Sequence, residues 1–161
     1  MKNNKELLLA QLTDLHTTML GVNERGQELG MRSWIKLSST IGGHFCDTVA
    51  CVCGWQSLGN LDNFPLARAW ANNWRAVTND TPEGVATRLS DDLGDAVANV
   101  FGDSAMAKSI YDGDTECRRF NAKDSGLFSK EELNHPHLNK EPTALEAASY
   151  IALCSDKVKG G

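Results

Sequence analysis

The stretch NKELLLAQLTDLHTTML, residues 4–20, carries the clearest helix pattern in the chain. Its apolar residues Leu8, Leu12, Leu15 and Met19 recur at spacings of four, three and four. Because an α-helix has about 3.6 residues per turn, these four side chains fall on one face. The pattern predicts an amphipathic helix that packs this face against a hydrophobic core.

Later segments repeat the helical pattern, and each has its own start signal. TPEGVATRL, residues 81–89, offers a capping threonine, a proline at the first helical position and an acidic residue in the first turn. DDLGDAVANVF and DSAMAKSIY follow it, with Gly102 as the break between them. In PTALEAASYIALC, Thr143 and Glu146 have the spacing of a capping box. We therefore predict several further helices.

No segment alternates apolar and polar residues over the length of a strand, so we predict an all-α protein. A chain of 161 residues fits one domain, and we expect residues 1–161 to form six or seven short helices around one core. Residues 112–139 are polar and rich in turn formers, so we expect a loop-rich stretch there. Within it, Ser129 and Glu132 have capping-box spacing and indicate a single-turn helix.

Charge and composition narrow the classes of function. The chain has 16 basic and 21 acidic residues and a formal net charge of -5, whereas proteins that follow phosphate backbones cluster Lys and Arg. The one dense basic pair is Arg118 and Arg119, so we expect no direct nucleic-acid binding. No window approaches the roughly 18 apolar residues of a membrane helix, and the apolar run at the N-terminus is too short for an export signal. We expect no membrane association, a cytoplasmic location and free thiols rather than disulfides.

The stretch HFCDTVACVCGW, residues 44–55, admits two chemical interpretations. His44, Cys46, Cys51 and Cys53 carry enough nitrogen and sulfur for a tetrahedral zinc site. However, Cys51 and Cys53 are two residues apart on a predicted helix and would point about 200° from each other. A reactive thiol at Cys46 or Cys51 would gain from a nearby helix N-terminus, but it also needs a neighbouring base.

A third interpretation of the same stretch is packing. Thr48 suits the cap of a helix that begins at residue 49. Ala50, Cys51 and Gly54 would then form a narrow strip of small residues, and Trp55 would fill the space beside it. We favour this interpretation, and therefore predict no bound metal, no cofactor and no catalytic residue.

Several stretches together resemble a group of small bacteriophage and prophage proteins. GMRSW, CDTVACVCGW, TPEGVATRL and PTALEAASYI resemble the pattern of that group, which carries a Cys-Gly-Thr-x-x-Cys-x-x-Gly-Trp signature after a Met-x-x-Trp element. The resemblance rests mainly on residues 31–55. It falls on Met31, Trp34, Cys46, Thr48, Cys51, Gly54 and Trp55, while Asp47 stands where the signature has glycine. The resemblance implies a phage accessory protein and points to no particular reaction.

We therefore predict a non-catalytic protein that binds a host or defence protein and inhibits or redirects it. Trp70 and Trp74 are the candidate contacts, because tryptophan is enriched at binding hot spots and these two lie four apart in a polar segment. One alternative is a protein that binds or sequesters a nucleotide messenger, with Arg118 or Arg119 assisting a helix N-terminus. Another is a thiol- or metal-dependent enzyme. The sequence predicts no oligomeric state.

Overall fold

The computed structural model describes residues 3–31, 35–36, 49–53, 55–56 and 82–160. Within these residues the chain is mainly helical, which confirms the predicted all-α class. The helices are α1 (Asn4–Glu24), α2 (Pro82–Phe101), α3 (Ala105–Tyr111), α4 (Thr115–Asp124), α5 (Pro136–Asn139) and α6 (Ala144–Gly160), with a 3-10 helix at Glu132–Asn134. None of these helices has the length and the apolar composition that a bilayer span requires.

A small sheet accompanies the helices and was not predicted. Its strands are β1 (Glu28–Leu29), β2 (Ile35–Lys36) and β3 (Val49–Ala50), and β3 lies between the other two. The pairing is parallel with β1 and antiparallel with β2. Strands of two residues are too short to show an alternating pattern. The helix predicted from residue 49 therefore begins later: of the described residues that follow β3, Val52, Cys53, Trp55 and Gln56 are helical.

The core is built mainly on α1 and α6, which pack against each other. On α1, the predicted residues Leu8, Leu12, Leu15 and Met19 are all buried. The helix extends beyond the predicted range to Glu24, because Val22 adds one more buried side chain. The hydrophobic spacing alone therefore identifies the inner face of α1.

The start of α6 is fixed by the predicted capping box. The Thr143 backbone N–H donates to Glu146 Oε1 at 3.0 Å, and the Glu146 N–H donates to Thr143 Oγ1 at 3.1 Å. The helix then buries Ala147, Tyr150, Ile151, Cys154 and Val158 among other residues. It continues to Gly160, and its last turn still contributes to the core.

Residues 112–139 are more regular than predicted. The single turn predicted there is present, since the Ser129 N–H donates to Glu132 Oε1 at 2.8 Å and the Glu132 N–H donates to Ser129 Oγ at 3.2 Å. The stretch also contains α4 and α5. The carboxylate of Asp114 caps α4 by accepting from the Glu116 N–H at 2.8 Å.

Candidate interaction surface

The outer face of α4 presents one large apolar side chain to solvent. Glu116, Arg119, Phe120 and Lys123 recur at helical spacing and lie on one side of the helix. The Phe120 side chain is 65% exposed, although phenylalanine is one of the residue types most often buried. Around it stand charged side chains that are themselves exposed.

This face forms one wall of a groove of about 720 Å³, which we call the α4 groove. From α4 it is lined by Glu116, Arg119, Phe120 and Lys123, and from the following segment by Lys130, Leu133, Asn134 and Asn139. Three of these residues are cationic and one is anionic. The groove is therefore a basic surface that also contains the apolar side chains of Phe120 and Leu133, on a chain whose net charge is -5.

The cations of the α4 groove are not used inside the fold. The two ion pairs found among the described residues join Lys140 to Glu146 at 3.0 Å and Lys157 to Glu132 at 2.6 Å. Neither pair includes Arg119, Lys123 or Lys130. These three side chains are exposed and keep their charge available to a ligand.

The N-terminal end of α4 carries the opposite charge. A second cavity of about 540 Å³ is lined there by Gly113, Asp114, Thr115, Glu116 and Glu141. Glu116 lines both this cavity and the α4 groove. Along α4 the surface therefore changes from acidic to basic, an order that also suits the helix dipole.

The inner face of α4 is held by Arg118, whose side chain is fully buried. Its Nε donates to the His137 carbonyl at 2.8 Å, and its Nη1 donates to the Asp112 carbonyl at 2.8 Å. Its Nη2 donates to Thr115 Oγ1 and to the Lys140 carbonyl, both at 3.1 Å. One guanidinium thus joins the start of α4 to α5 and to Lys140, the residue that follows α5.

This position corrects the expectation that Arg118 assists a bound phosphate. Four hydrogen bonds occupy its guanidinium inside the protein, so it has no surface on which to meet a ligand. Arg119 follows about 100° further around the helix and is exposed in the α4 groove. Of the predicted basic pair, only Arg119 lies at a surface site.

A buried histidine lies beneath the same segment. His137 Nε2 lies 2.9 Å from the Ile110 carbonyl, and because a carbonyl only accepts, Nε2 carries the proton. Its ring stacks on the Tyr150 ring with centroids 4.8 Å apart. Ser109 Oγ donates to the Met106 carbonyl, so the Tyr150 hydroxyl donates to Ser109 Oγ at 2.7 Å.

Burial keeps this network neutral. Burial, and after it the nearby charge of Arg118, lower the pKa of His137 to about 3. Burial also raises the pKa of Tyr150 well above its ordinary value. A general base for use near neutral pH needs a pKa near the working pH. His137 therefore fits a packing role better than a catalytic one.

The residues of the phage-like signature divide into two groups. Met31, Cys51 and Trp55 are buried and belong to the hydrophobic core. Trp34, Cys46, Thr48 and Gly54 lie outside the described residues, as do Trp70 and Trp74. The α4 groove was not predicted from the sequence. Phe120 was not among the candidate binding residues, and of the groove residues only Arg119 was.

The described cysteines of this region are packed rather than reactive. Burial raises the pKa of Cys53, and the neighbouring Cys51 raises it further, whereas a nucleophilic thiol needs a lowered pKa. Within the described part of the chain, no group of three His, Cys, Asp or Glu side chains is arranged to hold a metal ion. His44 and Cys46 fall outside that part.

Comparison with known proteins gives no relative, since no family model, no curated protein and no solved structure matches the chain.

Proposed function

We propose that the protein acts non-catalytically by binding a partner protein through the α4 groove. In keeping with the resemblance to phage proteins, the proposed partner is a host or defence protein in the cytoplasm, which is inhibited or redirected by the contact. The observation that carries the proposal is the exposure of Phe120, 65%, in the wall of a groove that three cations also line.

The composition of the groove supports recognition of another protein. Aromatic residues and arginine are enriched at interface hot spots, where they provide apolar area and directional donors together. Phe120 and Arg119 are adjacent in the chain and line the same groove. The amides of Asn134 and Asn139 add polar groups at its other wall. The eight lining residues are recognition groups and include no thiol or hydroxyl nucleophile.

The buried network supports the same proposal by making the groove rigid. Arg118 bonds α4 to the segment around α5, and α5 supplies Asn139 to the groove. The Asn139 amide also donates to the Leu133 and His135 carbonyls at 2.9 and 3.0 Å. A surface that is ordered before binding loses less conformational entropy when a partner docks.

Site-specific cross-linking tests the proposal. A photoreactive phenylalanine analogue at position 120 should cross-link one protein in infected or expressing cells, and the same analogue at position 145 should not. Leu145 is a matched control, because it is 53% exposed and does not line the α4 groove. The captured protein is then purified and its dissociation constant measured.

Two substitutions complete that test. Phe120→Ser should weaken binding by about 30-fold, as expected for a hot spot worth about 2 kcal/mol. Leu145→Ser should change it less than about 2-fold, as an exposed residue outside the contact. Equal binding by the wild-type protein and the Phe120→Ser variant would contradict the proposal.

A second candidate function has support from the same groove. Three cations beside an exposed aromatic ring suit a nucleotide, whose phosphates bind cations and whose base stacks on the ring. A thermal-shift panel of nucleotides tests this, since a ligand at 100 times its dissociation constant adds about 2.7 kcal/mol of stability. No shift with any nucleotide would remove this candidate and leave the first in place.

A further inference from the structure

The charges on the outer face of α4 are arranged in an order that is complementary to itself. Glu116 and Lys123 lie seven residues apart, and Arg119 and Phe120 occupy the middle of that interval. Seven residues of helix rise about 10.5 Å, or two turns, so both charges lie on the side of Phe120. Reversing the direction of the helix exchanges the acidic and the basic position and keeps the centre in place.

We propose that α4 binds α4 of a second copy of this chain in an antiparallel, two-fold symmetric contact. In that arrangement Glu116 of each copy meets Lys123 of the other, and the two Phe120 rings lie close to the symmetry axis. Arg119 falls against the Phe120 ring of the second copy, a contact that suits a guanidinium and an aromatic face. A two-fold contact requires one surface that is complementary to itself.

The charges beside this face extend the complementarity. Asp114 lines the acidic cavity together with Glu116, and Lys130 lines the α4 groove together with Lys123. In an antiparallel pair the acidic end of one copy faces the basic end of the other at both ends of the contact. A partner with charges of one sign would match one end and be repelled at the other.

The contact is expected to be weak. A helix of ten residues offers a small interface, and small interfaces are typical of transient complexes. The net charge of -5 on each copy also opposes association, although salt at physiological strength screens much of that repulsion. We expect a dimer that forms at micromolar concentration and dissociates on dilution.

The inference goes beyond the proposed function, because it requires no other protein. Where both contacts exist, the second copy and the partner protein compete for Phe120. Partner binding would then be strongest when the protein is dilute.

Sedimentation of the purified protein tests the inference. The weight-average mass should rise from one chain toward two between low and high micromolar concentration. Phe120→Ser should weaken self-association at least about tenfold, as loss of a central aromatic contact does. A wild-type protein that remains monomeric throughout this range would overturn the inference and leave the proposed partner binding intact.

Charge reversal identifies the contact. Glu116→Lys and Lys123→Glu should each abolish the dimer, because each places like charges together at both ends of the contact. The double variant E116K/K123E should dimerise again, and an equimolar mixture of the two single variants should form a mixed dimer. Lys5→Glu is the matched control, since Lys5 is exposed on α1 and lies outside the groove.

The rescue distinguishes self-pairing from other contacts. Both single reversals oppose the α4 dipole, so circular dichroism must show that each variant is folded. If single reversals dissociate the dimer and the double variant does not restore it, Glu116 and Lys123 do not face each other across the contact and the inference is wrong. Cross-links from position 120 that reach only the protein itself would support the inference and contradict the proposed function.

Discussion

The α1–α6 pair and residues 112–143 are both ordered, but opposite kinds of side chain order them. Between α1 and α6 the buried groups are almost all apolar, as with Leu12 and Ile151. In residues 112–143 the largest buried side chain is the cation Arg118, and the ring of His137 is buried nearby. Two principles of burial therefore operate side by side in one small protein.

Order arises differently where the sequence is polar. An apolar side chain is stabilised by leaving water whatever its exact neighbours are. A buried cation is tolerated only if most of its donors find acceptors. Arg118 finds them in the carbonyls of Asp112, His137 and Lys140, which belong to turns and short helices. The polar region should therefore be more sensitive to the loss of a single group than the apolar pair.

Removing the guanidinium of Arg118 should have the largest effect on stability. Arg118→Ala should lower the free energy of unfolding by about 4 kcal/mol, because it leaves three carbonyls without their donor in the interior. Urea denaturation measures the loss. Hydrogen exchange should show α4 and α5 opening more readily than α1 and α6.

A conservative variant sharpens that result. Arg118→Lys keeps the positive charge but cannot reproduce the planar fork of donors. It should therefore restore less than half of the stability that Arg118→Ala removes. If it matched the wild type, charge alone would explain the role of Arg118. If α1 and α6 exchanged as fast as α4 in the alanine variant, the two regions would unfold as one unit.

The apolar pair gives the second largest effect. Leu12→Ala should cost about 3 kcal/mol, from lost burial and from the cavity left behind. The change should destabilise the whole protein, because α1 contacts both α2 and α6. Thr13→Ala, exposed on the same helix, is the control and should cost less than about 0.5 kcal/mol in urea denaturation. A purely local effect of Leu12→Ala would contradict the assignment of α1 to the core.

The apolar α1–α6 pair is easier to predict from the sequence than the polar residues 112–143. The inner face of α1 is predicted by the spacing of four residues, since burial there depends only on apolar character. In TECRRFNAKD the ordinary expectation would bury Phe120 and expose Arg118, and the structure has the reverse. The acceptors that bury Arg118 are backbone carbonyls up to 22 residues away, which no local pattern indicates. The start of α4 was not predicted, although Asp114 caps this helix and Glu116 lies in its first turn.

Acidification tests the neutral network at a smaller scale. Burial lowers the pKa of His137 from 6.5 to about 3 in the folded protein, so below pH 6.5 the unfolded chain binds a proton that the folded chain does not. Stability should therefore fall as the pH decreases from about 6.5, by up to about 1.4 kcal/mol per pH unit. Between pH 6.5 and 5 the loss should be about 2 kcal/mol in urea denaturation.

A variant without the titrating ring isolates this effect. His137→Gln keeps a side-chain donor for the Ile110 carbonyl and has no proton to gain in this range. Its stability at neutral pH should be lower, but its dependence on pH between 6.5 and 5 should be much flatter. Burial lowers the pKa of His135 as well, so a small slope of the same sign should remain. An unchanged slope would show that His137 is not the group responsible.

The two capping boxes give the smallest effect. Each pairs a hydroxyl side chain with a glutamate three residues later, so the same substitution can be compared in the two regions. Thr143→Ala removes the hydroxyl that accepts from the Glu146 N–H at the start of α6, and should cost about 1 kcal/mol. Ser129→Ala removes the same kind of bond from a 3-10 helix of three residues, and should cost only a few tenths. α6 contributes its whole length to the core, so a lost cap there acts on global stability, whereas the single turn at Ser129 can fray locally. Glu132 is also held by Lys157 at 2.6 Å on α6, which gives the turn a second anchor. Equal losses in urea denaturation would mean that this turn is coupled to the core as tightly as α6 is.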